Sequence, residues 1–238
     1  MIVVAVAGLT LGVLLANRDG TSTDATDGAS AADAAAGLAT APAAADGAPN
    51  AAEEAELEAL QATLSRTQML PSDFRTVLPF ELVGTDGEPL DESFLDERWS
   101  LLFFGYTNCP DVCPVTLSVM KDVVERLEGG GTEPMQVVFV TVDPVRDTAA
   151  RMREYIGFFD EDFVGVTGEL ADVHALTREL GIVAAFTADE QNPDAYVVDH
   201  TASMLLVDPE RRVRAKFTAP HEVDTILADY KAIRAALN

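Results

Sequence analysis

In Thr107-Asn108-Cys109-Pro110-Asp111-Val112-Cys113-Pro114 the two cysteines of the chain stand four residues apart. At or inside the first turn of a helix, positions i and i+4 lie on one side, so both sulfurs can face a single ion. Unpaired backbone N–H groups and the helix dipole at such an end favour thiolate over thiol, which assists metal binding and disulfide exchange alike. Soft thiolates select Cu(I) or Zn(II), and an added imidazole makes a donor set that holds copper in either oxidation state. A plain disulfide is the competing reading in an oxidising compartment. It would cross-link very little chain and so add little stability through loop closure. Three histidines are candidates for a third donor. His174, between helix-type neighbours, and His221, after Pro220 at the start of the last helix, read as surface or capping residues. His200 stands in Tyr196-Val197-Val198-Asp199-His200-Thr201, where a strand begins or bends in the half of the chain that would face the cysteines. Spacing alone leaves it open between a structural histidine and a ligand.

The elements that must hold these residues follow from periodicity. Residues 100–106 carry Leu101, Leu102, Phe103 and Phe104 without interruption, the signature of a strand buried on both faces. Past the cysteines, Leu117, Met120, Val124 and Leu127 fall at helical spacing. The cysteine loop therefore follows the carboxyl end of a strand and precedes a helix, where open α/β sheets bind their ligands. A second apolar strand is predicted over 135–142 and a second helix over 148–159 with Asp147 as its cap. A third helix is predicted over 171–180, ending at Gly181. Residues 195–207 and 213–217 read as a strand pair around Asp208 and Pro209, and 222–237 as a terminal helix. Ahead of all this, residues 75–83 turn β-like, and Gly84, Asp86 and Gly87 supply the turn of an opening hairpin. The order β-α-β-α-β-β-α, with helical insertions, is a thioredoxin-type layout. The fold class expected is α/β: a central mixed sheet with flanking helices and an N-terminal β-hairpin.

Outside that domain the chain changes character. Residues 1–16 are apolar and stop at Asn17, Arg18 and Asp19, slightly short of the roughly 20 residues that span hydrocarbon. No Lys or Arg precedes the run, which favours an uncleaved anchor over a cleaved signal peptide and suggests a start further upstream. Residues 17–71 are expected to be a flexible Ala/Asp-rich linker, with a short helix across 52–64 where Leu57, Leu60 and Leu64 form one stripe. The domain proper is expected at 72–238. Lys and Arg total 16 against 40 Asp and Glu, a formal charge of −24. Such a surface repels nucleic-acid phosphates and is suited to a saline habitat or simply to an acidic periplasmic surface.

Three ordered motifs carry a resemblance. They are Phe104-Gly105-Tyr106-Thr107-Asn108-Cys109-Pro110-Asp111-Val112-Cys113-Pro114, then Asp143-Pro144-Val145-Arg146-Asp147-Thr148, then Val198-Asp199-His200-Thr201. Together they resemble the Sco/SenC family of copper proteins over about 72–237. The resemblance implies a thioredoxin-like fold, with Cys109, Cys113 and His200 as ligands of copper, Cu(I) or Cu(II). It also implies delivery of copper to the binuclear copper centre of cytochrome c oxidase, so that the partners would be the copper-bearing oxidase subunit and another periplasmic copper chaperone. The protein would then sit at the periplasmic face of the bacterial inner membrane, anchored by its N-terminus. Some members of the family are thought to reduce the cysteines of that apo site, so a thiol-disulfide oxidoreductase using Cys109 and Cys113 is the alternative. The wide cysteine spacing and the histidine both favour the metal.

Four further positions have expectations of their own. Asp143 and Arg146 either shape the site or form a turn salt bridge. Asp111 reads as a solvated loop residue and Met204 as core. Asp208-Pro209-Glu210-Arg211-Arg212 departs from the family habit of a turn glycine, which puts the hairpin geometry there in question.

Overall fold

The strand predicted to be buried on both faces lies in the middle of the sheet. In the computed structural model, which describes residues 51–132, 135–188 and 196–237, β4 (Ser100–Gly105) is buried at all six positions. It pairs in parallel with β5 (Gln136–Thr141) and antiparallel with β9 (Met204–Val207), so that Phe103 lies level with Phe139 on one side and Met204 on the other. The full sheet also contains β1 (Thr67–Met69), β2 (Glu81–Gly84), β3 (Pro89–Asp91), β6 (Val164–Thr167) and β10 (Val213–Phe217). Their order is β1-β10-β9-β4-β5-β6-β2-β3, and β4, β5 and β6 are mutually parallel.

Strand alternation divides the core in two. Leu101, Phe103, Val137, Phe139, Met204 and Leu206 face one layer, built with α2 (Val112–Gly129), α3 (Ala149–Gly157) and α5 (Val223–Leu237). Leu102, Phe104, Val138, Val140, Leu205 and Val207 face the other, where α4 (Leu170–Glu179) contributes Val173 and Leu176. Each fully buried Phe or Leu here adds about 1.5–3 kcal/mol relative to exposure. The uninterrupted apolar run of β4 is thus explained by helices on both faces.

Several expectations need correction. The span 195–207 divides between two sheets: among the described residues β8 (Tyr196–His200) pairs only with β7 (Ala184–Ala188), while β9 enters the main sheet. Thr201, Ala202 and Ser203 separate them, and no Gly or Pro marks that break in the sequence. Short strands β1, β6 and β7 carry too few residues for periodicity to reveal. The helix cap before α3 is Thr148, whose hydroxyl accepts from the Arg151 N–H, because Asp147 turns inward. Opening of the fold also precedes Ser72. Strand β1 pairs with β10, and α1 (Ala51–Gln61) leads into it with Leu57, Leu60 and Leu64 against the core. The described residues all fall in one compact unit, Gly47–Asn238. Residues 1–16 and the linker as far as 50 lie outside the described residues, and no helix among the described residues is long and apolar enough to cross a membrane.

At the turn lacking glycine, Arg211 takes a left-handed φ of 63°. Such backbone costs a non-glycine residue about 1–2 kcal/mol. The turn is held by the buried Asp208, which accepts from the Glu210 and Arg212 N–H groups, while the Arg211 side chain pairs with Glu92 and Asp96. Hairpin geometry therefore survives without the glycine.

Candidate metal centre

β4 ends at Gly105, and the chain turns through Thr107 to Asp111 before α2 begins. The Cys109 N–H donates to the Tyr106 carbonyl (3.1 Å), which closes the turn and directs Cys109 toward the helix end. Cys113 is the second residue of α2, and Pro114 follows at a position where the helix needs no N–H donor. The whole cysteine loop is held from below by Asp147, which is fully buried and accepts from the Thr107 N–H (2.9 Å) and from the Thr107 and Thr141 hydroxyls. Burial pushes the Asp147 carboxyl above its ordinary range despite those donors. From outside, Arg151 donates to the Thr107 hydroxyl and the Asn108 amide oxygen.

Cys113 has no exposed surface, whereas Cys109 is partly open. The burial of Cys113 depends on Gly105: a Cβ there would lie 2.6 Å from the Cys113 sulfur and 2.8 Å from the Phe139 ring. His200, the last residue of β8, completes the group. Its Nε2 is 3.6 Å from the Cys113 Sγ, and its Nδ1 is 3.3 Å from the Thr201 carbonyl. With the proton on Nδ1 that carbonyl is satisfied and the Nε2 lone pair is free for a metal, whereas with the proton on Nε2 the ring donates to the sulfurs instead. Tyr106 and Phe103 stand edge-on to the imidazole at 5.9 and 6.4 Å, which fixes its plane.

The donor atoms of Cys109, Cys113 and His200 all lie within 4.8 Å of one another. Sulfur and nitrogen donors sit about 2.0–2.3 Å from a bound ion, so donors to one ion stand no more than about 4.6 Å apart. The group needs only a slight contraction to close on a metal. The two thiols titrate as a pair. Hydrogen bonding from Cys113 lowers the Cys109 thiol to about 5, helped by the backbone N–H groups of Asp111 and Cys113 and by His200, against the effect of burial. Cys113 is pushed far up, first by its hydrogen bond to Cys109 and then by burial. One sulfur is therefore a ready thiolate, and the other gives up its proton only to something that takes its place, as a soft cation does.

The SCO1/SenC family model matches residues 69–235. This chain belongs to the SCO1/SenC family. It is 34% identical over 156 residues to a protein of Stutzerimonas stutzeri named for copper binding, a span of 66% of this chain and 75% of that one. Against the mitochondrial SCO1 homolog 1 of Arabidopsis thaliana identity is 31% over 148 residues, covering 62% of this chain but only 44% of the plant protein. The crystal structure of Arabidopsis ScoI with copper bound superposes with a TM-score of 0.63 at 31% identity, over 68% of this chain and 99% of that one. A thioredoxin-like α/β fold with a central mixed sheet is common to the family members compared.

The remaining candidates separate cleanly. His174 packs its ring against Phe186 at 6.0 Å, and His221 lies 2.8 Å from the Ala202 carbonyl, so neither joins the group. Met204 is core and Asp111 is exposed. Asp143 and Arg146 do form the turn salt bridge, but they also contact Tyr196 of β8, which links them to the strand that carries His200. Gly105, Thr107 and Tyr196 were not singled out from the sequence. The one available sign was a glycine within a buried strand, which marks close approach of another group.

Proposed function

We propose that this SCO1/SenC protein is a copper metallochaperone, carrying the ion on Cys109, Cys113 and His200 for delivery to the binuclear copper centre of cytochrome c oxidase. The convergence of two sulfurs and one imidazole nitrogen within 4.8 Å carries this reading. A relative named for copper binding and a copper-bound neighbour of the same fold support it. Two thiolates with an imidazole suit copper in either oxidation state. Transfer would proceed by ligand exchange. Partly open Cys109 is the donor a partner can replace first, and buried Cys113 releases last. The copper-bearing oxidase subunit is the proposed recipient, with another periplasmic chaperone as supplier. The apolar run of residues 1–16 supports anchoring at the periplasmic face of the inner membrane.

The low-pKa, accessible Cys109 beside a shielded Cys113 also favours a second reading, a thiol-disulfide reductase. In it the Cys109 thiolate attacks a target disulfide and Cys113 resolves the mixed disulfide, leaving the target as two thiols and this pair oxidised. That reaction has no need of His200. The deciding measurement is copper stoichiometry and absorption of the reduced full-length protein beside Cys109→Ala, Cys113→Ala and His200→Ala. The chaperone reading expects one copper per chain with a thiolate-to-Cu(II) charge-transfer band that each substitution weakens. No tight copper in the unmodified protein, together with a reversible Cys109 to Cys113 disulfide, would shift the assignment to the reductase.

A further inference from the structure

Among the described residues, His200 arrives on a strand that forms no ladder with the main sheet: β7 and β8 pair only with each other. Along β8, Tyr196, Val198 and His200 alternate inward while Val197 and Asp199 are exposed. A slip of one residue would turn His200 to solvent. Something must therefore hold the register and height of this hairpin over the cysteines. Val198 is buried in the core. The other attachment is at Tyr196. Its ring is covered by the Arg146 guanidinium at 3.6 Å from the centroid, its hydroxyl donates to Asp143 Oδ1 (2.6 Å), and its carbonyl accepts from Arg146 (3.1 Å). Arg146 is in turn paired with the fully buried Asp143 and lies 5.7 Å from the Tyr106 ring. Four residues further along the same strand, about 13 Å away, is His200.

The same loop grips the other half of the site. Asp143, Arg146 and Asp147 fall within five consecutive residues after β5, and Asp147 holds the Cys109 loop through Thr107. A single turn thus ties the cysteine arm on one side and the histidine arm on the other.

We propose that Asp143, Arg146 and Tyr196 form a latch that sets His200 against the two thiols, so that opening the latch withdraws the imidazole and reduces the site from three donors to two. These are positioning residues, and the inference rests on the copper-carrier reading of the site. A planar cation stacked on an aromatic ring and a charge-assisted hydrogen bond each contribute enough for their joint loss to change an equilibrium about tenfold or more. Arg146→Ala removes both the stack and the carbonyl bond. Tyr196→Phe removes only the hydroxyl bond to Asp143, and Arg146→Lys keeps charge without the planar face.

The experiment has two arms on the full-length protein. In the metal-free protein, amide hydrogen exchange is followed at β7 and β8 with β4 and β5 as internal reference. In the Cu(I)-loaded protein, transfer of copper to a chromophoric chelator is timed. Arg146→Ala is expected to speed exchange across β7 and β8 and copper release by about tenfold each, with β4 and β5 unchanged and with Arg146→Lys and Tyr196→Phe intermediate. Exchange and release indistinguishable from the unmodified protein, or exchange raised equally in β4 and β5, would overturn the latch. If the unmodified protein takes up no copper, the carrier reading fails, and the hydrogen-exchange arm then decides the latch without it.

Discussion

Cys109 and Cys113 are chemically alike, and their surroundings make them different. The ionised sulfur is the one a solute can reach, so alkylation is its natural report. Iodoacetamide should modify Cys109 of the reduced, metal-free protein at a rate that stays near its maximum down to about pH 6 and falls only as pH drops through about 5. The sign follows from the depressed pKa: thiolate is present above that value and lost below it. Mass spectrometry over a pH series reads the profile, and an inflection near the ordinary thiol value would contradict the arrangement described for the pair. Gly105 sets a second expectation. Gly105→Ala puts a methyl group within 2.6 Å of the Cys113 sulfur and 2.8 Å of Phe139, so one of them must shift. Overpacking of this kind costs about 1–3 kcal/mol. Urea unfolding should show that loss, and copper affinity should fall with it because a ligand has been displaced; unchanged copper binding would show that the loop absorbs the methyl elsewhere. Both cysteines were evident as ligand candidates from type and spacing. Their unequal acidity was not, because it depends on which sulfur the fold buries.

Elements that carry no chemistry decide how the site is supported. Residues ahead of Ser72 belong to the fold: Gln61 both donates to the Thr67 carbonyl and accepts from the Met69 N–H, and buried Asp229 of α5 accepts from the Thr67 hydroxyl (2.7 Å) and the Ser65 N–H. A chain beginning at Ser72 loses β1, leaves β10 as an open edge and strips Asp229 of these partners. Leaving a buried acceptor without its donors costs about 1–3 kcal/mol, to which the lost strand adds. Such a chain should melt several degrees below one beginning at Ala51, by about 2–4 °C for each kcal/mol. Equal melting temperatures would mean that α1 and β1 are dispensable. Long periodic elements such as α2, α5 and β4 were readable in advance. The three-residue β1 and four-residue β6 were not, since pairing with a neighbour defines them more than their own pattern does.

The chain as a body carries a formal charge of −24. With so few basic residues to neutralise it, self-repulsion opposes compactness, and added salt shortens its reach from about 10 Å at 0.1 M to about 3 Å at 1 M. Raising NaCl from about 0.1 M to about 1 M should therefore raise the urea midpoint of unfolding. A flat or falling response would show that local pairs such as Arg211 with Glu92 and Asp96, which salt weakens, outweigh the general repulsion.

Ligand types, the strand-loop-helix setting of the cysteines and the layered α/β plan were legible from residue type and spacing, because those depend on local periodicity and on the intrinsic softness of sulfur and imidazole. Position in the chain set His174 and His221 aside, but spacing alone could not decide whether His200, 87 residues beyond Cys113, is a ligand or a structural histidine. Nor could it show that 195–207 divides between two sheets, or that Arg146 reaches Tyr196 fifty residues away. These are contacts between segments far apart in sequence, formed when the packed sheet and helices bring them together, and no local pattern encodes which distant side chain will arrive.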